Sequence, residues 1–82
     1  MPRNPTIHPV QRVSPAFQKR LTDLIDEEEC SKYEFAARTG VSKEVINRAC
    51  LYAIVPSLQS LLKIANYLQL SLPYLLALTD ER

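Results

Sequence analysis

The sequence is poor in glycine, with only Gly40 among 82 residues. Antiparallel sheet proteins need many tight turns, and those turns favour glycine or Asn-Gly pairs, of which the chain has none. Apolar residues make up 46% of the chain, enough for the core of one small domain. The scarcity of glycine therefore disfavours a sheet-rich fold and predicts an all-α protein.

Cysteine is also scarce, with only Cys30 and Cys50. There is no C-x-x-C pair and no cluster of cysteine with histidine, so we expect no zinc site and no other metal or cofactor. Because nothing in the sequence indicates an oxidising compartment, we expect two free thiols that pack as small apolar side chains.

Long apolar runs are missing too, which argues against a membrane span and against a signal peptide at the N-terminus. We therefore expect a cytoplasmic location. His8 is the only histidine, and it lies among the prolines of residues 1–13 without a catalytic partner. Without a phosphate-binding loop or a pair of catalytic groups, we expect neither an enzyme nor a small-molecule site.

Charge is nearly balanced over the whole chain, at +1, but it is distributed unevenly. Residues 1–20 carry four basic side chains and no acid, and residues 21–30 carry five acids and no base. Residues 31–50 carry four basic side chains against two acids. A protein that binds nucleic acid needs one positive face rather than a positive total, and this distribution permits such a face.

Proline and serine divide the chain into an arm and a domain. Residues 1–13 contain three prolines and no helical periodicity, which predicts an extended basic arm. Residues 14–82 contain five places where a serine can cap a helix, which predicts five helices with short connections. These serines are Ser14, Ser31, Ser42, Ser57 and Ser71.

Apolar residues at helical spacing predict the inward face of each helix. We expect the core to contain Phe17, Leu21, Leu24 and Ile25 of the first helix, Val45, Ile46 and Ala49 of the third, Leu58, Leu61, Leu62, Ala65 and Leu68 of the fourth, and Leu72, Leu75, Leu76 and Leu78 of the fifth.

A helix-turn-helix unit is predicted from Ser31 to Ala49. Two short helices meet at Gly40, which can adopt the positive φ that a sharp turn requires. Ala36 is small enough for the third helix to cross close to it. With Ile46 and Ala49 facing inward, the opposite side of the third helix presents Lys43, Glu44, Asn47 and Arg48 to solvent.

From Ser31 to Asp80 the chain resembles the phage-repressor-like Xre/Cro family of helix-turn-helix regulators. The matching pieces are Ser31, Glu34-Phe35-Ala36, Thr39-Gly40-Val41-Ser42, Ile46, Pro56-Ser57, Leu61, Lys63-Ile64-Ala65, Leu68, Ser71 and Tyr74-Leu75-Leu76. The resemblance implies a five-helix, lambda-repressor-like fold. It also implies transcriptional regulation, with repression the usual outcome, by a homodimer bound to palindromic double-stranded DNA.

The resemblance also implies roles for individual side chains. The base-reading positions of the family correspond to Lys43, Glu44, Asn47 and Arg48. Its phosphate contacts correspond to Lys32 and Ser42. An arginine can pair with guanine through two hydrogen bonds, and an asparagine can pair with adenine in the same way.

The segment after the third helix departs from the family. The stretch Cys50-Leu51-Tyr52-Ala53-Ile54-Val55 is uncharged where relatives have glycine and basic residues. We expect it to form an apolar loop and, with the C-terminal helix, a homodimer interface. The residues expected there are Ile54, Val55, Leu70, Leu72, Tyr74 and Leu78.

Two other functions stay open at this point. The apolar loop and the small net charge would also suit a protein-interaction module that keeps the fold but binds DNA weakly or not at all. A narrower alternative is an antitoxin or restriction-control protein, which also binds DNA.

Overall fold

The structure is a computed structural model that describes residues 12–82. It contains five helices: α1 Pro15–Glu27, α2 Lys32–Thr39, α3 Lys43–Tyr52, α4 Leu58–Leu68 and α5 Leu72–Leu75. Within the described range, the only strand-like pairing is one antiparallel bridge between Val13 and Ile54. The predicted all-α fold with five helices is therefore confirmed.

Every helix begins at the serine predicted to cap it. The side chain of each of these serines accepts a hydrogen bond from the backbone N–H three residues later. At Ser31 the cap is reciprocal, because its backbone N–H donates to Oε1 of Glu34 at 3.1 Å. This hydrogen bond lowers the pKa of the Glu34 carboxyl and keeps a negative charge at the positive end of α2.

The turn between α2 and α3 depends on Gly40. Its φ of 78° lies in the left-handed region, and its N–H donates to the carbonyl oxygen of Ala36. Val41 follows and is buried at the corner of the two helices. Because glycine adopts this conformation without strain, α3 can leave α2 at a sharp angle.

One core joins α1 to the helix-turn-helix unit and to the last two helices. Its largest fully buried side chains are Phe17, Leu21, Phe35, Ile46, Ile64 and Leu75. The ring of Phe35 also meets Tyr67 of α4 edge-on, with 6.2 Å between the ring centroids. The core therefore fixes α3 on its buried side and leaves the other side free.

The apolar stripe predicted for α4 was partly wrong. Leu58 and Leu62 are exposed, whereas Ile64, which was not predicted, is fully buried. The buried positions are Leu61, Ile64 and Ala65, because this is the face that α4 turns towards α2 and α5. In α5, likewise, Leu75 is fully buried while Leu78 lies beyond the helix and is exposed.

The predicted loop after α3 is shorter than expected. Helix α3 continues through Leu51 and Tyr52, and Ala53 ends it in a left-handed conformation. The segment that follows pairs with residues before α1: Ser14 N–H donates to the Ala53 carbonyl oxygen, and Val55 N–H donates to that of Arg12, each at 2.8 Å. The prediction placed a loop from Cys50 because the family has one at these positions, although the stretch up to Tyr52 contains no helix-breaking residue that would end α3 earlier.

Candidate nucleic-acid interface

The exposed side of α3 contains all four residues predicted to read bases. Ile46 and Ala49 are fully buried on one side of the helix, and Lys43, Glu44, Asn47 and Arg48 are exposed on the other. This separation follows from the helical period, since residues three or four apart share a face. The core therefore fixes α3 through its buried side, and its polar side chains face solvent.

The start of α2 lies beside this face. The Nζ atom of Lys32 donates a hydrogen bond of 3.1 Å to Oδ1 of Asn47. The Nζ atom of Lys43 lies 5.4 Å from the centre of the Tyr33 ring, within the range of a cation–π interaction. The structure thus brings a predicted phosphate contact, Lys32, directly onto a predicted base reader.

These residues surround a groove of about 390 Å³ between α2 and α3. Its lining consists of Lys32, Tyr33, Lys43, Glu44 and Asn47. Two ammonium groups face one carboxylate here, so the groove has a positive balance. A surface with this balance attracts the phosphates of a nucleic acid.

Arg48 and Ser42 lie outside this groove. Arg48 lines a second, smaller groove with Ile54, Pro56 and Ser57. Ser42 is exposed at the start of α3, where its Oγ accepts a hydrogen bond from the N–H of Val45. A hydroxyl that accepts in this way can still donate its proton, so the cap leaves Ser42 able to bind a phosphate oxygen.

Sequence reasoning missed three exposed residues near this face. Tyr33 is 68% exposed, and Leu51 and Tyr52 continue the outward rows of α3. Leu51 follows Asn47 by four residues, and Tyr52 follows Arg48 by the same spacing. This spacing could have identified them once the helix was extended through Tyr52.

Five of the six residues predicted for a dimer interface divide into two groups. Ile54, Val55 and Leu78 lie together around an apolar groove of about 850 Å³, which is also lined by Val13 and Leu58. Leu70 and Leu72 are half-buried and pack against the core away from this groove. The arm predicted for residues 1–13 lies outside the described residues except for its end, where Arg12 and Val13 border the groove.

Tyr74 is not part of any free surface, contrary to expectation. Its side chain is only 9% exposed. The Arg20 guanidinium lies 3.8 Å from the centre of its ring and also donates to the carbonyl oxygen of Tyr74. Arg20 reaches on to Asp80 at 3.1 Å, so Tyr74 helps to hold the C-terminal residues on α1. The sequence could not show the contact between Arg20 and Tyr74, because these two residues are far apart along the chain.

Other kinds of site find no support in residues 12–82. In that range no group of three or more histidine, cysteine or acidic side chains could hold a metal ion. None of the described helices is long and apolar enough to span a bilayer. Cys30 and Cys50 are both free thiols, each half-buried, and burial raises the pKa of the Cys50 thiol.

Comparison with known proteins gave one match. Residues 23–75, more than half of the chain, match the family described as Helix-turn-helix. The matched range contains α2 and α3 entirely and ends at the last residue of α5. No curated protein and no solved structure matched the chain.

Proposed function

Because the chain belongs to the helix-turn-helix family, whose members are DNA-binding regulators of transcription, we propose that it is a sequence-specific repressor that reads the major groove with α3. The observation that carries the proposal is the exposed polar face of α3, whose opposite side is packed into the core through Ile46 and Ala49. A helix presented in this way fits the width of the major groove. Repression then requires only that the bound protein occupy its operator.

The charges on this face suit the backbone of a duplex. Lys32, Lys43 and Arg48 are the cations, and Glu44 is the only acid among the predicted contacts. Lys32 and Lys43 border the groove between α2 and α3, where they can reach phosphates on either side of the bases. Ser42 at the start of α3 adds a hydrogen-bond donor for a phosphate oxygen.

The first test is the salt dependence of binding to a mixed duplex. Each cation that neutralises a phosphate releases counterions, so affinity should fall steeply as salt rises. On a mixed duplex, where no base is selected, all three cations can lie against phosphates. They then predict a slope of about −3 per bound copy for the logarithm of affinity against the logarithm of salt concentration. Fluorescence anisotropy with a labelled duplex between low and moderate salt measures this slope.

A variant with Lys43→Met should bind with a slope that is smaller in magnitude by about one. Lys19→Met is the matched control, because Lys19 lies on α1 and pairs with Asp23 at 2.9 Å. No binding of wild type at low salt, or a slope near zero, would contradict DNA binding and favour the protein-interaction module.

We further propose that the protein acts as a homodimer through the large apolar groove. The exposed side chains at this groove are Val13, Leu58 and Leu78, at 63%, 60% and 75% exposure. Ile54, Pro56 and Ser57 line both this groove and the smaller one that contains Arg48. A second copy seated there would therefore lie beside α3. A palindromic operator requires the two copies of α3 to lie about 34 Å apart.

Sedimentation equilibrium tests the dimer. Wild type should dimerise at micromolar concentration, and Leu78→Asp should be monomeric, because a carboxylate would be buried in an apolar contact. Leu78 is suited to this test because it is exposed, so the change leaves the core intact. Leu62→Asp on the exposed side of α4 is the control, since Leu62 does not line the groove. A wild type that stays monomeric at high micromolar concentration would overturn the dimer.

A further inference from the structure

Lys32 and Asn47 are in contact, although the sequence predicts separate roles for them. Lys32 is predicted to contact phosphate, and Asn47 is predicted to read a base. Lysine can only donate hydrogen bonds, so the atom of Asn47 that it touches must be the acceptor, Oδ1. This fixes the orientation of the Asn47 amide. Its Nδ2 group, with two donor hydrogens, is left for a partner outside the protein.

This arrangement changes which base Asn47 can read. A free asparagine pairs with adenine by accepting from N6 and donating to N7. Here the Lys32 ammonium occupies one lone pair of Oδ1. Its positive charge also repels a second N–H donor that approaches the same oxygen, which disfavours the adenine N6 amino group.

The same arrangement suits guanine. In the major groove guanine offers two acceptors, N7 and O6, and no donor. The Lys32 ammonium has three donor hydrogens and uses one on Asn47, while Nδ2 of Asn47 has two. Together, the two side chains therefore present donors only.

The Lys32–Asn47 pair lies at the surface, with Lys32 half-buried and Asn47 exposed. Both residues line the groove between α2 and α3, which is about 390 Å³ in volume. Lys43 is the other cation in that groove. Its ammonium group lies near the Tyr33 ring, which is its partner there. The Lys32–Asn47 contact is thus at the surface that α3 would present to a base pair.

We propose that Lys32 and Asn47 act as one base-reading unit that selects guanine, with Lys32 the residue that determines this specificity. The inference rests on the proposed function, because it assumes that α3 enters the major groove. It differs from a simple phosphate role for Lys32, which would strengthen binding to every sequence equally.

The test compares base preferences of wild type, Asn47→Ala, Lys32→Met and the double variant, using a pool of duplexes randomised across the binding site. The position that loses its preference in Asn47→Ala is the one that Asn47 reads. Wild type should prefer guanine there, and Lys32→Met should reduce the ratio of guanine to adenine by roughly tenfold. In the Asn47→Ala background, Lys32→Met should not alter the preference further.

Two results from the pool would overturn the inference. The first is a Lys32→Met variant that binds all sequences more weakly but keeps the wild-type preference, which would make Lys32 a phosphate contact. The second is a wild-type preference for adenine at the position that Asn47 reads. Lys19→Met, which changes a lysine paired on α1, is the control and should keep the wild-type preference.

A measurement on the free protein separates this inference from the proposed function. The side-chain NH₂ resonances of Asn47 in an NMR spectrum should shift in Lys32→Met and stay in place in Lys19→Met. Unshifted resonances would show that the pair does not form and would overturn the inference even if DNA is bound. Shifted resonances without any duplex binding would show that the pair forms while the proposed function, and with it guanine selection, is wrong.

Discussion

Replacing Phe35 by alanine is expected to lower the free energy of unfolding by about 3–5 kcal/mol. The Phe35 side chain is fully buried, and its ring meets Tyr67 of α4 edge-on. The substitution removes both the buried surface and this contact. The removal leaves a cavity between α2 and α4 that the surrounding backbone can close only in part. A domain of this size has roughly 0.05–0.15 kcal/mol of stability per residue, so the loss would be a large share of the total.

Urea denaturation followed by circular dichroism measures this change. Tyr33→Ala is the matched control, because it removes an aromatic ring from the same helix at a position that is 68% exposed. We expect the control to change the unfolding free energy by no more than about 0.5 kcal/mol. Equal losses in the two variants would show that Phe35 does not hold α2 against the core.

The helices were predictable from the sequence because their signals are local. A serine cap, a proline in the first turn or a glycine at the end acts within one turn of the chain. Ser31 with Glu34 and Gly40 are examples, and each has its predicted role in the structure. The end of α3 was missed because nothing local marks it, and its true end depends on the pairing of Ala53 with Ser14.

Which apolar residues are buried was harder to predict, because burial depends on neighbours distant in sequence. Leu58 and Leu62 of α4 are leucines like Leu61, yet only Leu61 is buried against α2 and α5. Tyr74 is buried and Arg20 contacts its ring from α1, and no local pattern around Tyr74 indicates this contact. Periodicity gives the width of a buried face but leaves its rotation about the helix axis uncertain by one position.

The candidate interface shows the same difference between features set by local sequence and features set by contacts between distant residues. The outward face of α3 follows from its own periodicity, so Lys43, Glu44, Asn47 and Arg48 could be placed there without a structure. The contact of Lys32 with Asn47 could not, because it depends on the angle at which α2 meets α3. That angle is set by Gly40 and by the packing of Ala36, which no local pattern measures.

Arg48→Ala is expected to weaken binding to the preferred duplex by about 1–3 kcal/mol per bound copy. Arg48 is exposed on α3, and none of the ion pairs among residues 12–82 includes its guanidinium. It is therefore free to form two hydrogen bonds to guanine, and the loss of such a pair removes the preference at one base position. Asn47→Ala should likewise relax a single position, and this position should differ from the one relaxed by Arg48→Ala.

The control for this prediction is Arg38→Ala, which removes the same charge from the end of α2. The guanidinium of Arg38 lies 4.0 Å from Oε1 of Glu28, and the neighbouring side chain of Tyr67 raises the pKa of Arg38. Glu28 directly follows α1 and Tyr67 lies on α4, so Arg38 is turned away from the α3 face. Competition assays with the preferred duplex and with single-base variants of it should show altered selectivity for Arg48→Ala alone. If Arg48→Ala weakened all duplexes equally, or if Arg38→Ala had the same effect, Arg48 would contribute charge rather than base recognition, and another element would have to read the sequence.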